Sequence, residues 1–218
     1  MYRVKEAFYT LQGEGAQAGR AAVFCRFSKC NLWTGREKDR ASAICDFCDT
    51  DFVGTDGQNG GRFESAEALA AHIRNLWPDQ PGAPYVVCTG GEPLLQLDDV
   101  LVEAFHNAGF EVGVETNGTL PAPPGIDWLC VSPKANAAVV IEQCDELKLI
   151  YPQPQAMPDR FTGMDATHFF LSPMASPTIG EGESDPIKQS NTRKATDYCL
   201  ANPRWRLTLQ MHKIIGID

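Results

Sequence analysis

Three cysteines, Cys30, Cys45 and Cys48, stand in a C-x14-C-x2-C arrangement on a loop that follows a short apolar run. Thiolates are soft ligands, suited to zinc and to iron–sulfur clusters. Three of them are one short of what a structural zinc or a fully protein-ligated cluster takes. On a four-iron cluster, three protein ligands leave one iron open to a cofactor or substrate. A zinc reading needs a fourth donor. No His lies nearby, and Cys25 serves only if its strand aims it at the loop. Plain packing is a third reading, because one C-x2-C is a weak signal. The wide first gap reads as an insertion at about residues 31–44, charged over 34–43.

A second candidate element is Gly90-Gly91-Glu92-Pro93, directly after the apolar run Tyr85-Val86-Val87-Cys88-Thr89. Two glycines at a strand end let the backbone approach a ligand closely, and Glu92 adds an acceptor. Taken alone, this is an ordinary strand-to-helix turn. Further polar clusters close later runs: Glu115-Thr116-Asn117-Gly118-Thr119, then Ser132-Pro133-Lys134, with Glu146-Leu147-Lys148-Leu149-Ile150 beyond. Ligand groups gathered from successive strand ends are the pattern of a barrel active site.

The elements that must carry these groups alternate. Strands are predicted over 22–27, 85–89, 110–116, 128–132, 146–150, 168–172 and 205–210. Helices are predicted over 66–77, with Ser65 as N-cap and Pro78 as terminator, over 97–107 and over 187–201. This α/β alternation implies βαβ units and a mainly parallel sheet. Residues 120–127 and 151–157 are too short or too Pro-rich for crossover helices, and a complete eightfold barrel takes about 250 residues. The expected fold is therefore a partial, open (β/α)6-type TIM-like barrel. One domain spanning 1–218 is expected, and 54–61 reads as a Gly-rich connection.

The 218 residues carry a formal charge of -9, which argues against nucleic acid, whose phosphates need basic patches. No apolar run approaches the roughly 20 residues of a membrane helix, and the N-terminal residues lack the apolar core of a signal peptide. The chain reads as cytoplasmic, of a bacterial kind, with no membrane partner. Its eight cysteines then point to metal binding or catalysis rather than disulfides. Cys25, Cys88, Cys130, Cys144 and Cys199 lie mostly in apolar runs and read as small buried hydrophobes.

Taken in order, the cysteines, Gly90-Gly91-Glu92 and the later strand-end clusters resemble the radical S-adenosylmethionine (SAM) enzymes. Most of those space their cysteines C-x3-C-x2-C. The wider gap resembles one bacterial branch of the 7-carboxy-7-deazaguanine synthase family. So do Phe8-Tyr9-Thr10-Leu11-Gln12-Gly13-Glu14-Gly15, Arg26-Phe27 and Leu209-Gln210-Met211-His212-Lys213. The resemblance covers nearly the whole chain. It implies a lyase that converts 6-carboxy-5,6,7,8-tetrahydropterin to 7-carboxy-7-deazaguanine on the route to queuosine, by ring contraction and loss of ammonia, with SAM regenerated. It implies a [4Fe–4S] cluster on Cys30, Cys45 and Cys48, SAM on the open iron, and Mg²⁺ on Thr50. For SAM it implies Gly90, Gly91 and Glu92 at the amino group, Glu115 and Asn117 at the ribose, Ser132 and Lys134 at the carboxylate, and backbone near Phe47 and Tyr151 at the adenine. For the pterin it implies Gln12, Gly13, Glu14, Arg26, Thr89, Gln210 and His212, the last two closing the site from the final strand. Alternation along 22–27 sets Arg26 opposite Val23, Cys25 and Phe27. With those three against the helices, its guanidinium faces the lumen and suits a carboxylate. The alternatives are a surface Arg paired with an Asp, and a core or surface His212. The family further implies a homodimer and a flavodoxin or ferredoxin reductant. Two other functions stay open: a different radical SAM enzyme acting on a protein partner, such as a glycyl-radical activase, and a zinc-binding structural module.

Overall fold

The computed structural model describes residues 1–79, 81–177, 179 and 183–217. One nine-stranded sheet organises them, in the order β3-β1-β2-β4-β5-β6-β7-β8-β9. The strands are β1 (Tyr2–Leu11), β2 (Ala21–Phe27), β3 (Gly61–Phe63), β4 (Tyr85–Gly90), β5 (Glu111–Thr116), β6 (Trp128–Val131), β7 (Gln143–Tyr151), β8 (Asp165–Pro173) and β9 (Arg206–Leu207). From β2 through β9 every neighbouring pair is parallel, while β1 pairs antiparallel with β2 and β3 with β1. The sheet has two separate edges, so the barrel is open.

Helices α1 (Ala66–Arg74), α2 (Asp99–Asn107) and α3 (Pro186–Ala201) cover the outer face. Each starts at a side-chain cap: Ser65 accepts from the Ala68 N–H, Asp98 from Leu101 and Asp185 from Lys188. The links from β5 to β6 and from β6 to β7 hold no helix, and the link from β7 to β8 holds only the 3-10 turn Pro158–Phe161. The partial, open α/β barrel is thus as expected.

Two hydrophobic clusters lie between sheet and helices. One joins Val23, Cys25, Phe27, Val86 and Cys88 to Leu69, Ile73, Leu101 and Phe105. The other joins Leu147, Leu149, Tyr151 and Leu171 to Ala195 and Trp205. The alternate positions, Phe24 and Arg26 on β2 and Glu146, Lys148 and Ile150 on β7, line the lumen. Cys25, Cys88, Cys130 and Cys144 are buried, and Cys199 is half-buried. No helix among the described residues is long and apolar enough to cross a membrane.

Strands β1 and β3 are not among those read from the sequence. The alternation in β1 is broken at Lys5-Glu6, where the register with β2 shifts between Val4 and Glu6. Lys5 is buried there because Asp51 and Asp56 both pair with its ammonium at 2.9 Å. The predicted strand 205–210 shrinks to Arg206–Leu207. The Thr208 hydroxyl instead accepts from the Gly15 N–H at 2.8 Å, and the Met211 N–H donates to the Gly13 carbonyl at 3.0 Å. Gln210 becomes the N-cap of a short helix, α4 (Met211–Ile215).

Candidate active site

The cysteine gap closes on itself. The Ile44 and Cys45 N–H groups both donate to the Leu32 carbonyl, at 3.1 and 3.4 Å. Residues 33–43 are therefore an excursion, carrying the 3-10 helix Glu37–Ser42. With it set aside, only Asn31, Leu32 and Ile44 separate Cys30 from Cys45, which restores an effective C-x3-C spacing. The three thiols pack with Leu32, Phe47 and Ala137. A hydrogen bond from Cys45 lowers the pKa of the Cys48 thiol, whereas burial raises that of Cys30. The Leu32 N–H donates to Cys30 Sγ at 3.4 Å.

The thiols open into a chamber of about 190 Å³. Its wall includes Phe47, Gly90, Gly91, Glu115, Asn117, Ser132 and Lys134. Gly90 has φ +128, and a Cβ there would lie 2.2 Å from the Phe27 carbonyl oxygen; at Gly91 a Cβ would lie 2.1 Å from that of Lys29. Only glycine lets β4 end so close to the segment that presents Cys30. Lys134 donates to the carbonyl and hydroxyl of Ser132 at 2.7 and 2.6 Å.

Two of the SAM residues expected from the sequence are not on this wall. Glu92 is fully buried. One carboxylate oxygen accepts from the Leu94 N–H and the Thr116 hydroxyl, the other from the Asn117 N–H. It braces the ends of β4 and β5 from behind, and burial pushes its pKa up. Tyr151 points its ring into the helix-side cluster against Tyr198, because it alternates with Ile150, which takes the wall position.

A second chamber of about 390 Å³ adjoins the first, with Gln12, Arg26 and His212 on its wall. Glu14, Asp49, Thr50, Thr89, Glu115 and Gln210 line both chambers. Arg26 faces the lumen and pairs through Nε with Glu6 Oε1 at 2.7 Å, a Glu rather than an Asp. Gly13 lies under the His212 ring, with space for no Cβ, and is not on the wall. Gln210 and His212 reach the chamber from α4 and its cap, not from a strand. Asp49 holds α4 to the cysteine loop through Lys213 at 2.8 Å.

Lys148 is a buried lumen residue that the sequence reading does not place in the site. Its ammonium sits 2.8 Å from Glu14 and 3.0 Å from Glu115, whose other oxygen accepts from Gln12 at 2.8 Å. Burial opposes both charges, yet the pairing holds Lys148 well above and Glu115 below their ordinary pKa ranges. The alternation Glu146, Lys148, Ile150 against Leu147, Leu149, Tyr151 carried the signal.

The donor set can be tested against a metal group. Among the described residues no three His, Cys, Asp or Glu side chains converge on one metal ion. The thiols do not suit a single zinc, while an all-sulfur set on an open chamber suits an iron–sulfur cluster. The buried Trp33 indole N–H has no partner among the described residues, and its ring lies on the same wall.

Residues 40–147 match the Radical SAM superfamily. The 7-carboxy-7-deazaguanine synthase of Bordetella pertussis is 60% identical over 216 residues, 99% of each chain. That of Caulobacter vibrioides is 57% identical over the same share. The chain belongs to the 7-carboxy-7-deazaguanine synthase family. A crystal structure of QueE from Escherichia coli superposes with TM-score 0.67 at 26% identity, covering 97% of this chain and 94% of that one. A [4Fe–4S] cluster and SAM follow from membership of this radical SAM family.

Proposed function

We propose that this member of the 7-carboxy-7-deazaguanine synthase family converts 6-carboxy-5,6,7,8-tetrahydropterin to 7-carboxy-7-deazaguanine, with SAM and cluster in the smaller chamber and the pterin in the larger. The observation that carries this assignment is the pair of adjoining chambers, one opening on three thiols and the other on Arg26. When bound, cluster and SAM supply a radical that removes a hydrogen atom from the pterin and returns one after ring contraction, with loss of ammonia.

The chain's own residues bind, orient and exclude water. Gly90 and Gly91 let backbone reach the SAM amino group. Asn117 and Glu115 suit the ribose, and Ser132 and Lys134 the carboxylate. Phe47 supplies an apolar wall for the adenine. Arg26 keeps its Nη nitrogens without a partner among the described residues, a fork matched to the pterin carboxylate. Gln12 and Glu14 offer an amide and a carboxylate to the pterin's guanidine-like edge, and Thr89, Gln210 and His212 complete that chamber. Thr50 stands on the common wall, where its hydroxyl suits Mg²⁺ shared with substrate oxygens; magnesium keeps several waters, so one protein ligand suffices. Lys148 holds its ammonium between the Glu14 and Glu115 carboxylates and favours the ionised form of Glu115. We read the chain as one cytoplasmic unit that works as a homodimer and takes electrons from a flavodoxin or ferredoxin.

The test is anaerobic reconstitution with iron and sulfide, reduction, and addition of SAM, Mg²⁺ and the carboxypterin. The expected result is a deazaguanine carboxylate formed without net loss of SAM. SAM cleavage without that product would overturn the substrate assignment but keep the radical chemistry. Absence of iron–sulfur absorbance would overturn both.

A further inference from the structure

The excursion 33–43 returns to the cysteine loop through one side chain. Arg40 Nη1 donates to the carbonyls of Asp46 and Cys48, at 2.8 and 2.9 Å. Its Nε and Nη2 donate to the two Glu37 carboxylate oxygens, at 2.7 and 2.9 Å. The guanidinium also stacks on Trp33, with 4.2 Å from Cζ to the ring centroid. The Arg40 side chain is 17% exposed, whereas that of Glu37 is 72% exposed. Four N–H donors of a rigid fork make this grip, and lysine cannot reproduce it.

The two carbonyls flank the second and third thiols, so a fixed positive charge rests against the loop that holds them. That charge lies close enough to Cys48 and Cys45 to interact with both. A bound cluster gains one negative charge on reduction, and net charge around a cluster is one of the levers on its potential. We propose that Arg40 is a positioning residue of the excursion that raises the reduction potential of the cluster held by Cys30, Cys45 and Cys48. Glu37, which carries the opposite charge at the solvent end of the same fork, moderates the effect. This inference rests on the iron–sulfur reading of the site. It gives the wide cysteine gap a role: the extra residues supply the cation.

The experiment is an EPR-monitored redox titration of the reconstituted protein, at matched iron content, for wild type, Arg40→Met, Arg40→Lys and Glu37→Gln. Arg40→Met is expected to lower the one-electron reduction constant about tenfold, or 59 mV. Arg40→Lys keeps the charge, so its potential is expected to stay nearer wild type while iron is lost faster. Glu37→Gln, which leaves the carbonyl contacts in place, is expected to shift the potential upward. Should Arg40→Met fail to assemble a cluster, Glu37→Gln decides: a rise supports the inference and an unchanged potential overturns it. Unchanged potentials in both variants, or a shift in Arg40→Lys as large as in Arg40→Met, also overturn it. A wild-type protein without a cluster signal overturns the reading of the site itself and is recognised before any variant is compared.

Discussion

Lys148 is 3% exposed and holds two carboxylates at hydrogen-bond distance, so its removal leaves like charges facing each other on the chamber wall. Lys148→Met is expected to cost about 3 kcal/mol in urea unfolding, with Lys148→Met/Glu115→Gln recovering part of it. A variant that unfolds like wild type would show that the pair contributes nothing. The sign of the pH dependence follows from Glu115. Its folded pKa is lower than its unfolded value, so it contributes stability above about pH 4.3, the ordinary carboxylate value, and loses it as pH falls through the folded pKa. The penalty of Glu115→Gln, about 2 kcal/mol for a lost charged hydrogen bond, should be full at pH 7 and fade as pH falls below about 4.3, as read from urea midpoints. Arg26 belongs to the same scale. Arg26→Lys keeps charge but loses the fork, so pterin affinity should fall roughly tenfold or more (about 1.4 kcal/mol or more) while SAM affinity and iron content hold. Loss of iron instead would place Arg26 in the scaffold.

At the scale of elements, the end of β4 and the cysteine loop are one assembly. Gly90→Ala would drive a Cβ into the Phe27 backbone from a left-handed φ, a strain of about 2 kcal/mol or more. Lower thermal stability together with poor iron retention is the expected outcome, and normal iron retention would separate the two elements. The strands, helices and cap residues that follow the apolar alternation were legible in the sequence: 85–89, 128–132, Ser65 and the inward Arg26 stand where the pattern put them. Strand β1 was not, because Lys5 and Glu6 interrupt its apolar period and only the distant Asp51 and Asp56 make a buried Lys5 tolerable. The short β9 was hidden likewise, since after the Thr208 N–H bond to the Leu171 carbonyl the chain turns to residues 13–15, nearly two hundred positions away, which take the Thr208 hydroxyl and the Met211 N–H. Where the Glu92 carboxylate and the Tyr151 ring point was not legible for a simpler reason. A motif names a residue, but whether its side chain faces the chamber or its back depends on pleat and packing.

For the molecule as a whole, the open edge of the sheet is spanned by the turn after β1. That turn bonds Thr208 and Met211 on one side and, through the Ala16 N–H, the Glu146 carboxylate on the other at 2.8 Å. Thr208→Val should cost only about 1 kcal/mol of stability yet loosen Gln12 and Glu14, weakening pterin binding measured by calorimetry while SAM binding changes little. Equal weakening of both ligands would instead indicate a general loss of order. The chambers on either side of Thr89 and Glu115 have walls in common, and Lys148 ties together Glu14 and Glu115, two carboxylates that line both. Whatever fixes that wall for one occupant has already ordered it for the next. The two affinities then form a reciprocal pair: if the pterin tightens SAM binding by some factor, SAM must tighten pterin binding by the same factor, whichever arrives first.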